Sequence, residues 1–389
     1  MAKKKTAYLI SCSDHYGHRL HVTDACLKQM GYETVYITSD FDHNTKTKYN
    51  CEVSGCVQLH AKEYKKNLSI SRILSHRGFA KTVFGYIESQ ETQPDLIICL
   101  LPPNFLAYFG AKYKKRHKNV KLVFDIFDLW PETFPSNSLK KLLAPVFKVW
   151  SNIRDKNLYA ADFIFTECEM FRQMLDLDDK KSKTAYLCAD PLENQSIARL
   201  SNEQIDLCYL GAINNIISIP DICALIKDLA KEKKTVLHII GAGERQEEFV
   251  ESAKEAGAEV IFYGAVYDEA KKEEIISKCH FGLNIMKSSV CVGLTMKSVD
   301  YFRHSLPIIN NIPADTKNLV EEKGVGVPLD NSCAEILLSL SVDDCLKMRE
   351  NVKEMFETTF EKNVVLSEIK SVFEQDFQSN QFIERYRGE

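Results

Sequence analysis

Residues 292 to 309, VGLTMKSVDYFRHSLPII, set a lysine and an aspartate where a helix should begin. With Thr295 as N-cap, Lys297 falls in the first helical turn, where unpaired N–H groups and the helix dipole favour an anion and disfavour a cation. A lysine there asks for an anionic partner, and Asp300 stands one turn on along the same face. A second cluster lies in FDIFDLWPETF, where Asp125, Asp128 and Glu132 gather around Trp130 and a proline. Carboxylates at a strand end can orient hydroxyl groups or act as a base, and capping of the following helix is the plain alternative. A third is SCSDHYGHRL, with His15, Tyr16, Gly17 and His18 in a loop after the first apolar run. Titratable loop groups at the end of a strand suggest a site, although solvated loop histidines are common. The stretch HIIGAGERQEEF has glycines at 241 and 243 but lacks the third glycine of a dinucleotide fingerprint. It reads equally as a turn that lets backbone approach a ligand or as a simple tight turn.

The elements that must position these residues come from the apolar pattern. Short runs recur between helical stretches: TAYLIS at 6, TVYITS at 34, DLIICLL at 95, KLVFDIF at 121, DFIFTE at 162 and TAYLC at 184. After a polar stretch the pattern restarts with IDLCYLG at 205, TVLHIIG at 235, EVIFYG at 259, HFGLNI at 280 and LPIIN at 306. Near-continuous apolar strands alternating with helices predict parallel sheets covered on both faces. The expected class is therefore α/β, two doubly wound Rossmann-like domains facing one another across a cleft, spanning 1–190 and 205–342, with C-terminal helices over 343–389 that pack back toward the first domain. Such sheets bind ligands beyond the C-terminal ends of their strands.

The chain has 389 residues, 45% hydrophobic and 27% charged, and no apolar run long enough to cross a bilayer. Its 13 cysteines are scattered and lie mostly in apolar strands, without the paired spacing of a zinc site. With no leader-like segment at MAKKKTAYLISC, a cytoplasmic location is expected. Net charge is −4, but Lys and Arg outnumber Asp and Glu 29 to 22 through residue 200 and trail 21 to 32 thereafter. The basic first half suits an anionic neighbour. In SLKKLLAPVFKVWSNIRDK, Leu139, Leu142, Leu143, Val146, Val149, Trp150 and Ile153 follow helical spacing beside lysines, a pattern for an anionic membrane surface or for packing on the domain's own sheet. Pro145 must begin or kink that helix. The basic run KYKKRHKNVK at 112 adds to the membrane reading, and no nucleic-acid motif accompanies the charge.

With DLWPE at 128–132, AYLCAD at 185–190, YLGAIN at 209–214, HIIGAGE at 238–244, VIFYGAV at 260–266 and GLTMKSVDYFRHSLPII in this order, the chain resembles glycosyltransferases of the GT-B fold. It is most similar to the retaining E-x7-E family of bacterial capsule and surface-polysaccharide assembly. The resemblance implies transfer of a sugar from a nucleoside-diphosphate sugar to a glycan or lipid-diphosphate-linked acceptor, with no cofactor and no metal. Lys297 would meet the diphosphate, Asp300 the ribose, and the segment from Tyr263 to Val266 the base. Gly17, Asn214, Asn215, Gly241, Thr295 and Met296 would complete the donor side. Asp128 and His15 would orient the acceptor, with Tyr16, His18, Asp125, Trp130 and Glu132 on its side. Expected partners are the nucleotide sugar, the acceptor, an anionic membrane surface on the inner face of the cell membrane and a second copy of the chain, but no nucleic acid.

The chain departs from the family at two places. Val292 and Asp300 stand where the two glutamates of the motif would be, and GAINNIISI lacks the Arg and Lys that commonly follow the YLG strand. The alternatives are a non-catalytic GT-B partner subunit or sugar-binding module, and a sugar-nucleotide epimerase, which would draw on His280 and His304.

Overall fold

A computed structural model describes residues 4–13, 17–134, 136–192 and 200–385. The chain divides into two units, Met1–Tyr186 with Val365–Glu389, and Leu187–Val364. The residues after 342 are thus shared, those up to Val364 belonging to the second unit and those from Val365 on to the first.

The first unit carries β1 (Thr6–Ile10), β2 (Glu33–Ser39), β3 (Phe41–Asp42), β4 (Thr47–Lys48), β5 (Val57–Leu59), β6 (Leu96–Leu101), β7 (Lys121–Ile126), β8 (Phe163–Thr166) and β9 (Ser182–Thr184). Seven of these form one sheet in the order β5-β2-β1-β6-β7-β8-β9, while β3 and β4 pair as a small antiparallel ribbon. Every pairing within the large sheet is parallel. Every residue of β6, LIICLL, is buried, as a central strand covered on both faces requires.

The second unit carries β10 (Gln204–Leu210), β11 (Lys234–Ile240), β12 (Glu259–Gly264), β13 (Phe281–Asn284), β14 (Ile308–Asn310) and β15 (Gly326–Pro328), again all parallel, in the order β12-β11-β10-β13-β14-β15. Both sheets wind outward one way from their first strand and then the other way from their fourth, and such a reversal opens a crevice at the strand ends. It falls between β1 and β6 in the first unit and between β10 and β13 in the second.

The second core packs Leu207, Tyr209, Leu237, Ile239 and Leu283 against Ile222, Ile226 and Phe249 from covering helices. In the first unit the helix Ala144–Asp155 has its proline at the start, where a missing N–H costs nothing. Its Phe147 and Trp150 face inward, while Val146 and Val149, with Leu142 just before it, stay exposed. The stripe expected to act as one face is therefore divided, and the tryptophan belongs to the core. No helix among the described residues is long and apolar enough to span a membrane.

Candidate functional site

In the second unit, β10 and β13 are held together at only two pairs, Leu207 with Phe281 and Cys208 with Gly282, and then part. Tyr301 fills the fork. Its hydroxyl accepts the Leu210 N–H at 2.8 Å and donates to the Cys208 carbonyl at 3.0 Å, replacing ladder bonds the parted strand has lost. The ring lies so close over Gly282 that a Cβ there would stand 2.7 Å from it, which explains a glycine inside a buried strand. The tyrosine fixes the helix Met296–Arg303 beneath the strand ends.

That helix begins as its sequence predicts. Thr295 is the N-cap, accepting the Ser298 N–H at 3.1 Å and donating to Asn284 Oδ1 at 2.9 Å. Asn284 in turn donates to Asn310 at 2.8 Å, so the cap is tied to the ends of β13 and β14. Thr295, expected among donor-binding groups, has its hydroxyl committed to this capping network. Met296 is exposed at the first helical position.

Lys297 lies one turn before Tyr301 on the same face, its ammonium 4.6 Å from the centre of the Tyr209 ring and its chain against Gly211. Among the described residues it has no carboxylate partner and no hydrogen bond. Desolvation by the surrounding protein pushes its pKa down to about 8. A cation held short of water at a helix N-terminus, aimed at a strand-end crevice, is an electrostatically incomplete arrangement that an anion would complete. Asp300 is half-buried, and burial raises its carboxyl pKa against the opposing pull of Lys272. No hydrogen bond among the described residues reaches its side chain.

The glycines of HIIGAGE have a structural cause. A Cβ on Gly241, whose φ is +151°, would come within 1.9 Å of the Gly211 carbonyl oxygen, and one on Gly243 within 2.2 Å of that of Ile213. The loops after β10 and β11 run backbone against backbone, with Gly211 N–H on Ile240 O at 2.9 Å and Ile213 N–H on Ala242 O at 3.0 Å. Asn214 accepts the Ile216 N–H within its loop, and Asn215 donates to Glu244.

Tyr263, in the segment expected against a base, is tied to the sheet through its hydroxyl. Its hydroxyl shares a 2.9 Å hydrogen bond with His238 Nδ1, and the two rings stack at 6.0 Å and 9°. His238 also meets Asp206 at 3.2 Å, and His280 lies 3.5 Å from the other Asp206 oxygen. Burial works against the charged form of Asp206, but hydrogen bonds from His238, His280 and Gln204 prevail and hold its carboxyl well below the usual range. Tyr263 is therefore part of a polar network on the sheet. Val266 follows in the half-buried segment beyond β12.

In the first unit, two of the three carboxylates of FDIFDLWPETF are structural. Asp125 is buried and takes Arg19 Nε at 2.8 and 2.7 Å on its two oxygens, while the same guanidinium donates to the carbonyls of Ala185 at 2.6 Å and Thr166 at 3.2 Å. Burial raises the Asp125 carboxyl pKa and Arg19 opposes it. Its expected place at an open rim is corrected: β7 points it into the core. Glu132 pairs with the fully buried Arg154 at 2.8 Å. Trp130 is buried and carries the Arg72 guanidinium 4.6 Å above its ring.

Asp128 does reach a cavity. It accepts from Thr133 at 2.6 Å, and burial pushes its carboxyl pKa up, partly opposed by Thr133 and Arg72. The cavity sits at the reversal between β1 and β6, lined by Cys12, Tyr64, Arg72, His76, Pro102 and Asp128 among others. Arg72 and His76 escaped the sequence reading. Their signal was the same oddity as at Lys297, a cation in the first turn behind a hydroxyl N-cap, Ser69, with His76 one turn on. Gly17 opens the helix Gly17–Gln29, which also contains His18, whereas His15 and Tyr16 lie outside the described residues.

No protein-family model matches the chain, and no curated protein matches it by sequence. Solved structures do match in shape. The apo form of lipopolysaccharide outer core galactosyltransferase WaaB superposes with a TM-score of 0.64 at 14% identity, covering 98% of this chain and 99% of that one. HepE of Anabaena, in complex with UDP and glucose, gives 0.61 at 14% identity over 96% of this chain and 100% of that one. A protein described as trehalose-6-phosphate from E. coli bound with UDP-2-fluoro glucose gives 0.64 at 9% identity, over 94% and 99%. The fold is GT-B.

Identities this low carry the architecture alone, so residue roles rest on the geometry above. The histidines an epimerase would use are engaged elsewhere: His280 also meets the Ser201 carbonyl at 3.0 Å, and His304 bonds to Glu273.

Proposed function

We propose that the protein is a glycosyltransferase that moves a sugar from a nucleoside-diphosphate sugar to a glycan or lipid-diphosphate-linked acceptor, with retention, in surface-polysaccharide synthesis. The observation that carries this reading is Lys297, a desolvated cation with no anionic partner among the described residues, at the N-terminus of a capped helix beside the β10/β13 crevice. The neighbours WaaB and HepE support it by what they are described as doing or binding.

In the transfer, the bond from the anomeric carbon to the diphosphate breaks as the bond to the acceptor oxygen forms, and the acceptor's proton leaves with the diphosphate. Negative charge grows on the departing phosphate. The Lys297 ammonium and the open N–H groups of the first turn meet that charge in a preorganised position, supplying electrostatically what a metal supplies in other transferases. Asp300 accepts from the ribose hydroxyls. Asp128, whose carboxyl pKa is raised by burial, orients the acceptor hydroxyl, a role that His15 would share.

UDP and UDP-sugars should raise the melting temperature of the wild type and leave Lys297→Ala unmoved. Unchanged stabilisation of the variant would overturn the role of Lys297.

The acceptor side is proposed to meet an anionic bilayer through the exposed Leu142, Val146 and Val149 beside Lys141 and Lys148. Vesicles of anionic lipid should float the wild type and release a Val146→Glu, Val149→Glu variant; equal flotation of both would remove this surface from the reading. The Val292 substitution favours a second reading, a sugar-binding GT-B subunit without turnover. In that case the donor would still bind at Lys297, but no nucleoside diphosphate would be released.

A further inference from the structure

The cavity at the β1/β6 reversal is narrow, about 30 Å³, too small for a sugar ring and large enough for on the order of one or two waters or a small charged group. Its position at the β1/β6 reversal is where a doubly wound sheet offers a ligand its strand ends. The helix Ile70–Glu88 delivers two side chains to it from its first two turns. Arg72 is 8% exposed and donates from Nη1 to the Asn67 carbonyl at 3.1 Å, but its buried Nε–H has no partner among the described residues. His76 is 6% exposed, and its Nδ1 is likewise buried and unpartnered. A guanidinium N–H can only donate, and leaving it buried and unmet carries the full desolvation cost of the group, which is greater for a charged one. Its natural complement is a group that only accepts.

We propose that this pocket is an oxyanion subsite that takes a carboxylate or phosphoryl group, with Arg72 as its principal donor and His76 completing it. Several features of the surroundings agree. Trp130 holds the guanidinium plane from beneath, so the fork is preorganised. The Tyr64 hydroxyl lies against the same guanidinium, and Lys46 stands 4.7 Å from the centre of the Tyr64 ring, adding a second positive charge nearby. The opposing charge is Asp128, whose carboxylate faces the same cavity. Burial raises the pKa of that carboxyl, and an arriving anion acts on it in the same direction, which lessens the repulsion. The oxyanion would be a group carried by the acceptor, and that part rests on the proposed transfer reaction.

The test is direct binding of anions to the full chain, with no transfer required. Inorganic phosphate, glucose 1-phosphate, acetate and glucuronate are titrated at constant ionic strength, with glucose as the neutral control. Tryptophan fluorescence and melting temperature are the readouts. Trp130 lies under Arg72, and the chain's other tryptophan, Trp150, packs against it at 6.0 Å, so filling the pocket should change emission saturably. Binding should weaken about tenfold or more in Arg72→Gln, weaken several-fold in His76→Asn, and persist in Lys297→Ala. The His76 variant keeps the test open if Arg72→Gln does not fold. Saturation by carboxylates alone or by phosphates alone supports the subsite and names its ligand class. Absence of any saturable response in the wild type overturns the proposal. So does binding that survives Arg72→Gln and His76→Asn but disappears in Lys297→Ala, since the anion would then sit at the second unit's helix. Anion binding without sugar transfer would leave the subsite standing and remove only the transfer reading.

Discussion

Both units set a cation in the first turn of a helix behind a hydroxyl N-cap, Ser69 with Arg72 in the first and Thr295 with Lys297 in the second. Both helices serve the reversal of a sheet with the same winding. The first unit fills its interior with paired charges, Arg19 on Asp125 and Arg154 on Glu132, and leaves a small cavity that Arg72, His76 and Asp128 help to line. The second fills its fork with Tyr301 and leaves Lys297 over an aromatic face, with no carboxylate partner among the described residues. A shared strand order therefore fixes where a ligand can approach, while the side chains that plug the fork decide what kind of ligand it is.

The sharpest way to break this contrast is to remove a paired cation. Arg19→Ala leaves Asp125 buried without its partner, and a loss of about 3–5 kcal/mol is expected in urea denaturation. A loss below about 1 kcal/mol would mean that the pair is not the structural anchor drawn above. Tyr301→Phe should cost less, on the order of 1–3 kcal/mol, because it strips one buried backbone N–H and one carbonyl of their partner while keeping the ring over Gly282. If its stability equals that of the wild type, the fork is not held by the hydroxyl.

Lys297→Met should have the smallest effect on stability, near zero or slightly favourable at pH 7, the reverse of Arg19→Ala. Its signature is pH dependence. The folded-state pKa of Lys297, about 8, lies below its ordinary value of 10.5, so the unfolded chain binds more protons between those two values. The cost of the desolvated charge is fully present below about pH 8 and is relieved as pH rises toward 10.5, so wild-type stability should gain relative to Lys297→Met across that window. Parallel pH profiles for the two proteins would show that the lysine is solvated.

Much of the fold was legible because its causes are local. The apolar runs at 6, 34, 95, 121, 205 and 235 all became parallel strands, since strands covered on both faces have no polar side to show. The helix start at Thr295 was legible for the same reason: a cap bonds within its own turn. The site was legible only where chemistry and capping coincide. Lys297 stood out by clashing with the helix dipole, whereas Arg72 carried the same clash without a glycine loop to draw attention to it. Asp125 read as a site residue because a carboxylate next to a tryptophan looks exposed until its arginine is found.

The sequence alone determined two doubly wound α/β units and a lysine in need of an anion, because periodicity and capping act over a few residues. Tertiary structure alone decided which charges were already answered. Arg19 meets Asp125 across 106 residues, Tyr301 meets Leu210 across 91, and Gly241 is required by a carbonyl thirty positions away at Gly211. Such pairings depend on where the sheet brings distant strand ends together, and no local pattern of residue types records that distance.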